Sequence, residues 1–172
     1  MSKYEDYLQE VGKIESKTFS DAWSVQGIRD SLEHDYNALL VLLCDDSDRK
    51  YFEIYQRGEN ICEISDVPES KEDDLVAGYV IFNQISDESE LLRIAVDKQY
   101  QGKGFGNMLL EKYINFISGN CEKAFLEVRD SNIIAKSLYE KYGYIKIATR
   151  KQYYSNPTED GIIYEYIPKN TK

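Results

Sequence analysis

The chain has 172 residues, of which 42% are hydrophobic and 30% are charged, and it contains 15 tyrosines. This composition is too rich in aromatic residues for a disordered chain, and the length predicts one domain over residues 1–172. The formal net charge of −10 repels phosphate backbones, so we expect no direct binding of nucleic acid. An acidic surface instead favours cationic or amine-bearing partners.

The cysteines and the apolar runs indicate where the protein functions. Cys44, Cys62 and Cys121 are widely spaced without a CxxC pair, and a single histidine excludes a two-histidine metal site, so no metal is expected. The longest apolar run, 38–44, is too short to cross a membrane, and residues 1–10 lack the apolar stretch of a signal peptide. We therefore expect a reduced, cytoplasmic protein.

The N-terminal half begins with two predicted helices. Apolar residues at three- and four-residue steps predict a first helix from Tyr4 to Thr18, and Ser24 can cap a second helix that continues to Leu32. Continuous apolar runs then predict strands over 38–43 and 75–83.

An acidic segment from Cys44 to Asp74 separates these two strands, with 11 acidic and 4 basic residues. Alternation from Tyr51 and a turn over residues 57–60 predict a hairpin that continues over 61–64. A solvated surface excursion is the simpler interpretation of the segment, and a binding role is the alternative.

Strands and helices alternate after residue 90, which predicts a mixed sheet carrying helices. Ser131 or Asn132 would cap the last helix, and Gly143 suits the left-handed position after it. The expected strands are 91–96, 124–129, 144–150 and 162–167, with a helix from about 104 to 118. The buried stripe of the last helix would consist of Ile134, Ala135, Leu138, Tyr139 and Tyr142.

A glycine-rich turn, Gln101-Gly102-Lys103-Gly104-Phe105-Gly106, connects the strand ending at Val96 to an amphipathic helix. Glycines let a backbone approach a ligand, and the amides at a helix start favour phosphate. The turn is neither a P-loop nor a dinucleotide fingerprint, because it lacks GxxxxGK[ST] and a GxGxxG with a later acidic partner. A turn needed only for strand-to-helix geometry is the alternative.

The spacing Val96-x4-Gln101-x-x-Gly104-x-Gly106 resembles the acetyl-coenzyme A signature of the GNAT acetyltransferases. The likeness is dense from residue 91 to residue 154 and patchy before it, and the segment 44–74 is longer than the turn expected there. Within the family, the chain is most similar to RimI-type ribosomal-protein alanine N-acetyltransferases, through Ile94-Ala95-Val96-Asp97, Leu126-Glu127-Val128-Arg129, Ser131-Asn132, Leu138-Tyr139-Glu140 and Tyr153-Tyr154.

The resemblance implies the GNAT fold, an α/β architecture with a mixed, mostly antiparallel sheet, helices on both faces and a splayed parallel strand pair. It also implies acetyl-CoA as co-substrate, with the amide of Val96 facing the thioester carbonyl as an oxyanion-type donor. The residues that would bind acetyl-CoA are Ile94, Ala95, Val96, Gln101, Gly102, Lys103, Gly104, Phe105, Gly106, Asn107 and Asn132.

Two catalytic roles follow from the same resemblance. Glu127 would be the general base, directly or through water, and Tyr139 the general acid that protonates the coenzyme A thiolate. Without the family, Glu127 would be a solvent-facing strand carboxylate, and Tyr139 a core tyrosine. Tyr153 and Tyr154 resemble an aromatic pair near the acceptor peptide, although strand packing explains them equally well.

The expected reaction is direct acetyl transfer to the α-amine of a basic protein N-terminus, most simply the N-terminal alanine of a small-subunit ribosomal protein. One alternative is a GNAT enzyme that acetylates a polyamine or an amino sugar. Another is an acetyl-CoA-binding protein without turnover, in which the segment 44–74 docks a basic partner. The sequence leaves the oligomeric state open.

Overall fold

The computed structural model describes residues 2–47, 49–61 and 75–169. These residues belong to two compact units, residues 1–82 with 93–109 and residues 83–92 with 110–172. Cys62, the predicted second strand beyond Ile61 and residues 48 and 62–74 of the acidic segment lie outside the described residues. The longest described helix has 16 residues, and within the described ranges no helix has the length and apolarity that a membrane span requires.

The first unit begins with the two predicted helices. Ser24 caps the second helix, since its Oγ accepts a hydrogen bond from the amide of Gly27 at 3.0 Å, as predicted. The hydrogen-bonded strand order is β3-β2-β1-β4, with β1 antiparallel to β2. The elements are α1 (Lys3–Thr18), α2 (Val25–Leu32), β1 (Asn37–Cys44), β2 (Lys50–Gln56), β3 (Glu59–Asn60) and β4 (Leu75–Ile85), whose last three residues belong to the second unit.

The acidic segment begins as the predicted hairpin. Arg57 and Gly58 have φ values of 52° and 77°, as the two central residues of a type I′ turn require. Glu59 and Asn60 already pair with β2, so the turn is shorter than the predicted 57–60. All eight residues of β1 are buried, which explains the continuous apolar run from which this strand was predicted.

The second unit is a mixed sheet with the strand order β5-β6-β8-β7. β5 and β6 are parallel, and their register ends at Leu91 with Leu126, before either strand ends. β6 with β8 and β8 with β7 are antiparallel. The elements are β5 (Glu88–Val96) and α3 (Phe105–Ile117), which both units share, and β6 (Lys123–Arg129), α4 (Ile133–Lys141), β7 (Ile145–Tyr154) and β8 (Glu159–Tyr166).

The last helix, α4, buries fewer residues than predicted. Tyr139 is 4% exposed and belongs to the core, but Ile134 is 87% exposed, so its expected burial is wrong. Periodicity identifies the apolar face of a helix, but it does not show how much of that face the sheet covers. Gly143 has the predicted left-handed conformation, with φ 92°.

Candidate active site

The end of β5 lies tightly against β4 in the first unit. Ala95 is buried, and Ile94 and Val96 are half-buried. A Cβ on Gly78 would lie 2.7 Å from the carbonyl oxygen of Ala95 and 3.3 Å from the Cα of Val96. The amide of Asp97 donates to the carbonyl of Ala77 at 2.9 Å. The predicted thioester-binding strand is therefore fixed by backbone contacts.

The side chain of Gln101 ties the glycine-rich turn to this strand. Its Nε2 donates to the carbonyl of Val96 at 3.0 Å. Between these residues, Asp97 Oδ1 accepts the amide of Gln99 at 3.1 Å and starts the short helical turn 98–100. Gln101 thus closes the turn with its side chain, which places the following glycines directly after the strand end.

Gly102 and Gly104 adopt left-handed conformations, with φ values of 73° and 83°. Both are exposed, and a Cβ at either position would have no atom within 4 Å, so the turn has room for a ligand. Phe105 anchors the start of α3, since it is buried and stacks on Tyr100 with ring centroids 5.2 Å apart.

The first amides of α3 suit an anion. The amides of Phe105 and Gly106 precede the first helical hydrogen bond, from Met108 to the carbonyl of Gly104 at 3.2 Å. The helix dipole adds partial positive charge there, and Lys103 lies 5.7 Å from the centroid of the Tyr100 ring in the same turn. This cradle fits the diphosphate of a coenzyme A thioester, with the amide of Asn107 one position further along the helix.

Glu127 lies on β6 in the second unit. Leu126 and Val128 are buried on one face of the strand, and Glu127 points to the other, as alternation predicts. Its side chain is 18% exposed, so it is not the solvated strand carboxylate of the alternative interpretation. Oε2 accepts a hydrogen bond from Arg150 Nη1 at 3.1 Å. Oε1 is buried, and none of the described residues donates a hydrogen bond to it.

The sequence reasoning assigned no role to Arg150 or Gly161 beside this carboxylate. The hydrogen bond to Glu127 raises the pKa of Arg150, so Arg150 is a permanent cation. A Cβ on Gly161 would lie 2.7 Å from Glu127 Oε1. β6 and β7 are separated by β8, and a contact across an intervening strand leaves no signal in residue spacing.

The aromatic pair at the end of β7 packs on two arginines. The guanidinium of Arg150 lies 4.3 Å from the ring centroid of Tyr153, and that of Arg129 lies 4.3 Å from the ring centroid of Tyr154. Arg129 also binds Glu159 of β8 at 2.9 Å. The two tyrosines are thus held by cations of the second unit.

Tyr139 is buried beside Tyr144 and Tyr164, with ring centroids 5.8 Å and 6.3 Å away. Burial, and then the proximity of Tyr154, raise its pKa, so the phenol keeps its proton at neutral pH. Asn132 is the exposed cap of α4, with its Oδ1 accepting the amide of Ala135 at 3.2 Å. A ligand would therefore meet the NH₂ group of Asn132.

Side chains suited to other chemistries are not grouped in the described ranges. Cys44 and Cys121 are buried, and burial raises the pKa of Cys121, which disfavours its thiolate. Among the residues that the structure describes, no three His, Cys, Asp or Glu side chains are arranged to hold a metal ion.

Comparison with known proteins identifies the family. Residues 8–144 match the model of the acetyltransferase (GNAT) family. The [ribosomal protein bS18]-alanine N-acetyltransferase of Haemophilus influenzae is 40% identical over 88 residues, which are 51% of this chain and 60% of that protein. The chain thus spans about 60% of the length of the curated relatives that it matches.

Solved structures match the chain over almost its whole length. The ribosomal-protein-S18-alanine N-acetyltransferase from Escherichia coli superposes with a TM-score of 0.69 and 26% identity, covering 98% of this chain and 91% of that one. The NatC complex bound to Gag peptide and CoA matches in fold, with a TM-score of 0.67, 17% identity and coverage of 98% and 93%. The chain has the predicted GNAT fold and belongs to the acetyltransferase (GNAT) family.

Proposed function

We propose that the protein transfers the acetyl group of acetyl-CoA directly to the α-amine of a protein N-terminus, and that its acceptor is the N-terminal alanine of ribosomal protein bS18. The observation that carries the proposal is the open turn of left-handed glycines at the start of α3, in a chain that matches the acetyltransferase family. The names of the relatives from Haemophilus influenzae and Escherichia coli support the choice of acceptor.

In the first unit, we assign coenzyme A binding to the glycine-rich turn and the end of β5. The amides from Gly102 to Asn107 would bind the diphosphate, while Ile94, Ala95 and Val96 would bind the pantetheine arm through their backbone. The Val96 amide would donate to the thioester oxygen as negative charge develops there. The rigid attachment of Val96 to Gln101 supports this assignment, because a fixed donor needs no reorganisation during the reaction.

In the second unit, we assign proton transfer to Glu127 and Tyr139, and a contact with the pantetheine arm to Asn132. Glu127 takes one proton from the α-ammonium, and the amine then attacks the thioester carbon. The C–N bond forms, the C–S bond breaks, and the thiolate receives the phenolic proton of Tyr139. The second proton of the attacking nitrogen returns to Tyr139 through solvent, so one proton is released overall. Burial raises the pKa of Tyr139, so the phenol carries its proton at neutral pH and has one to transfer.

The charge of the chain supports a basic acceptor. A net charge of −10 attracts a cationic peptide and increases its association rate more than its affinity. A ribosomal protein acceptor also places the enzyme in the cytoplasm, where the buried thiols Cys44 and Cys121 stay reduced.

A panel of acceptors tests the proposed function. Thiol release from acetyl-CoA would be measured with a basic peptide that begins with alanine, the same peptide with a blocked N-terminus, a polyamine and an amino sugar. We expect turnover with the first peptide and none with the blocked one. Turnover with the small amines alone would support a small-molecule acetyltransferase instead. Tight acetyl-CoA binding by calorimetry without turnover of any acceptor would indicate a binding protein.

A further inference from the structure

The two carboxylate oxygens of Glu127 have different surroundings. Arg150 Nη1 donates to Oε2 at 3.1 Å, whereas Oε1 is buried and receives no hydrogen bond from the residues that the structure describes. Burying an acceptor without a donor is costly, and such an atom in a folded protein often marks a functional group. One oxygen is therefore anchored by a cation, and the other has unused lone pairs.

Gly161 allows Glu127 and Arg150 to meet. β8 lies between β6 and β7, so the two side chains come from strands about 10 Å apart, which is two strand spacings. Gly161 is in register with Arg129 on one neighbouring strand and with Arg150 on the other. Because it has no side chain, the surface of β8 is open where the carboxylate and the guanidinium cross it.

Gly161 also sets the position of Oε1. A Cβ at this position would lie 2.7 Å from Oε1 and 3.3 Å from Cδ of Glu127. Both atoms lie near the end of a flexible side chain, so an added methyl group would displace the carboxylate rather than the backbone. The φ of Gly161 lies outside the left-handed region, so the strand itself accepts alanine.

Tyr153 restricts Arg150 from the other side. The guanidinium stacks 4.3 Å from the centroid of this ring. The Cδ1 atom of Tyr153 also lies 3.2 Å from the place where a Cβ of Gly161 would stand. Arg150 is 51% exposed, yet its head group is held between an aromatic ring and a carboxylate, which limits the rotamers it can adopt.

We propose that Arg150 and Gly161 are positioning residues that give the two oxygens of Glu127 separate tasks. Arg150 anchors Oε2, and the missing side chain of Gly161 keeps Oε1 where it accepts the proton of the acceptor amine. This inference rests on the proposed function, because it takes Glu127 to be the general base. The carboxylate becomes a carboxylic acid in this step, and Arg150 keeps all its protons.

Steady-state kinetics with acetyl-CoA and an alanine-terminated peptide test the inference. Removing the base in Glu127→Gln should lower kcat by about 100-fold or more. Arg150→Met and Gly161→Ala should each lower kcat by about tenfold to 100-fold, since misplacing a reacting group by about 1 Å costs that much. The KM for acetyl-CoA should not change. Arg150→Lys should recover part of the loss, because an ammonium can still bind Oε2.

A double variant separates positioning from general damage. If Arg150 acts through Glu127, adding Arg150→Met to Glu127→Gln should cause no further loss. If Arg150→Met lowers kcat as much in the Glu127→Gln variant as in the natural protein, the proposal is overturned. A normal kcat in Arg150→Met alone would also overturn it. If Gly161→Ala does not fold, the Arg150→Met and Arg150→Lys variants still test the proposal. Matched controls are Lys151→Met, which removes an 80% exposed cation from the same strand, and Gly119→Ala, where a Cβ meets nothing within 4 Å.

A second measurement does not depend on turnover. The ¹³C resonance of the Glu127 carboxyl should shift in Arg150→Met and in Gly161→Ala, but not in Lys151→Met. Unchanged resonances in both variants would overturn the positioning of Glu127. An active enzyme in which Glu127→Gln keeps full turnover would instead contradict the catalytic role of Glu127 in the proposed function, whatever the resonances show.

Discussion

Gly78 on β4 lies so close to Ala95 on β5 that a methyl group at position 78 would stand 2.7 Å from the Ala95 carbonyl oxygen. The same methyl group would lie 2.8 Å from Leu109 Cδ1, at the start of the shared helix. The Ala95 carbonyl on one side and the Leu109 side chain on the other leave no room for this methyl group. Gly78→Ala should therefore destabilise the fold by about 1–3 kcal/mol and weaken acetyl-CoA binding, because it displaces the strand end at Val96.

Urea unfolding and calorimetric titration with acetyl-CoA would measure both effects of Gly78→Ala. Gly119→Ala is the matched control, because that position is open and not left-handed. Equal stability and affinity in Gly78→Ala and the natural protein would show that β4 and β5 are not packed this closely.

Substitution of Gly104 should affect coenzyme A binding through the backbone conformation of the turn alone. Its φ of 83° disfavours other residues, although the space around it is open. Gly104→Val should cost about 1–2 kcal/mol in the turn, equivalent to an increase of about 5-fold to 30-fold in the dissociation constant of acetyl-CoA. Gly104→Asn should lose less, since asparagine tolerates left-handed backbone. Equal affinities for the two variants in a calorimetric titration would contradict this account of the turn.

A buried ionic cluster holds the connection between α1 and α2. Glu15 is fully buried, accepts hydrogen bonds from the Tyr79 hydroxyl and from the Trp23 amide at 2.9 Å, and lies 3.8 Å from Arg93. Arg93 in turn packs between the rings of Phe19 and Trp23, at 4.9 Å and 5.0 Å. The carboxylate is thus the buried counter-charge of a cation that is only 14% exposed and that also pairs with the exposed carboxylate of Asp21 at 3.6 Å.

Removing this carboxylate should destabilise the protein strongly. Glu15→Gln leaves Arg93 without its buried counter-charge and should cost about 3 kcal/mol in urea unfolding. The double variant Glu15→Leu with Arg93→Met should be more stable than Glu15→Gln, because no buried charge is left unpaired. Glu10→Gln, at an exposed position on the same helix, is the control. A loss below about 0.5 kcal/mol for Glu15→Gln, as for a surface change, would contradict the cluster.

Asp45 makes a pH-dependent contribution at the start of the acidic segment. Burial acts to raise its pKa, but hydrogen bonds from the Arg49 amide, the Tyr51 hydroxyl, the Arg49 side chain and the Ser47 amide outweigh burial and lower the pKa to about 2. A depressed pKa in the folded state means that the stabilisation is complete above the unfolded value, 3.8, and is lost as the pH falls towards 2.

Carboxyl ¹³C titration should therefore find Asp45 still ionised at pH 3. The stability advantage of the natural protein over Asp45→Asn should be constant above about pH 5 and should shrink below pH 4. A midpoint near 3.8 for Asp45 would show that the hydrogen bonds from Ser47, Arg49 and Tyr51 do not hold the carboxylate.

Elements with strong periodic signals were predicted well from the sequence. β1 is apolar from Ala38 to Cys44 because all of it is buried, and Ser24 and Asn132 cap their helices as predicted. The ends of strands that lack an apolar pattern were not predicted correctly. β7 continues to Tyr154 instead of Arg150, and almost all of it is exposed, since it is the last strand in the order of its sheet. An exposed strand needs no alternating pattern, so its length is not encoded in hydrophobicity.

Some features of the candidate site were predictable from the sequence, and others were not. The glycines at 102 and 104 were predictable, because left-handed backbone has a direct sequence preference. The contacts of Arg150 and Gly161 with Glu127 were not, because they depend on the register of three strands, which is set by packing and turn geometry. That the chain forms one domain, and that residues 44–74 form a surface excursion, stay predictions.

The most direct test of the central claim is mass spectrometry of purified small-subunit ribosomal proteins after incubation with the protein and acetyl-CoA. Peptide fragmentation would locate every added acetyl group, and Glu127→Gln would serve as the paired reaction. We expect one acetyl group on the α-amine of the N-terminal alanine of bS18, and a much slower gain with the variant. An unmodified bS18, or acetyl groups on lysine side chains alone, would contradict the proposed activity.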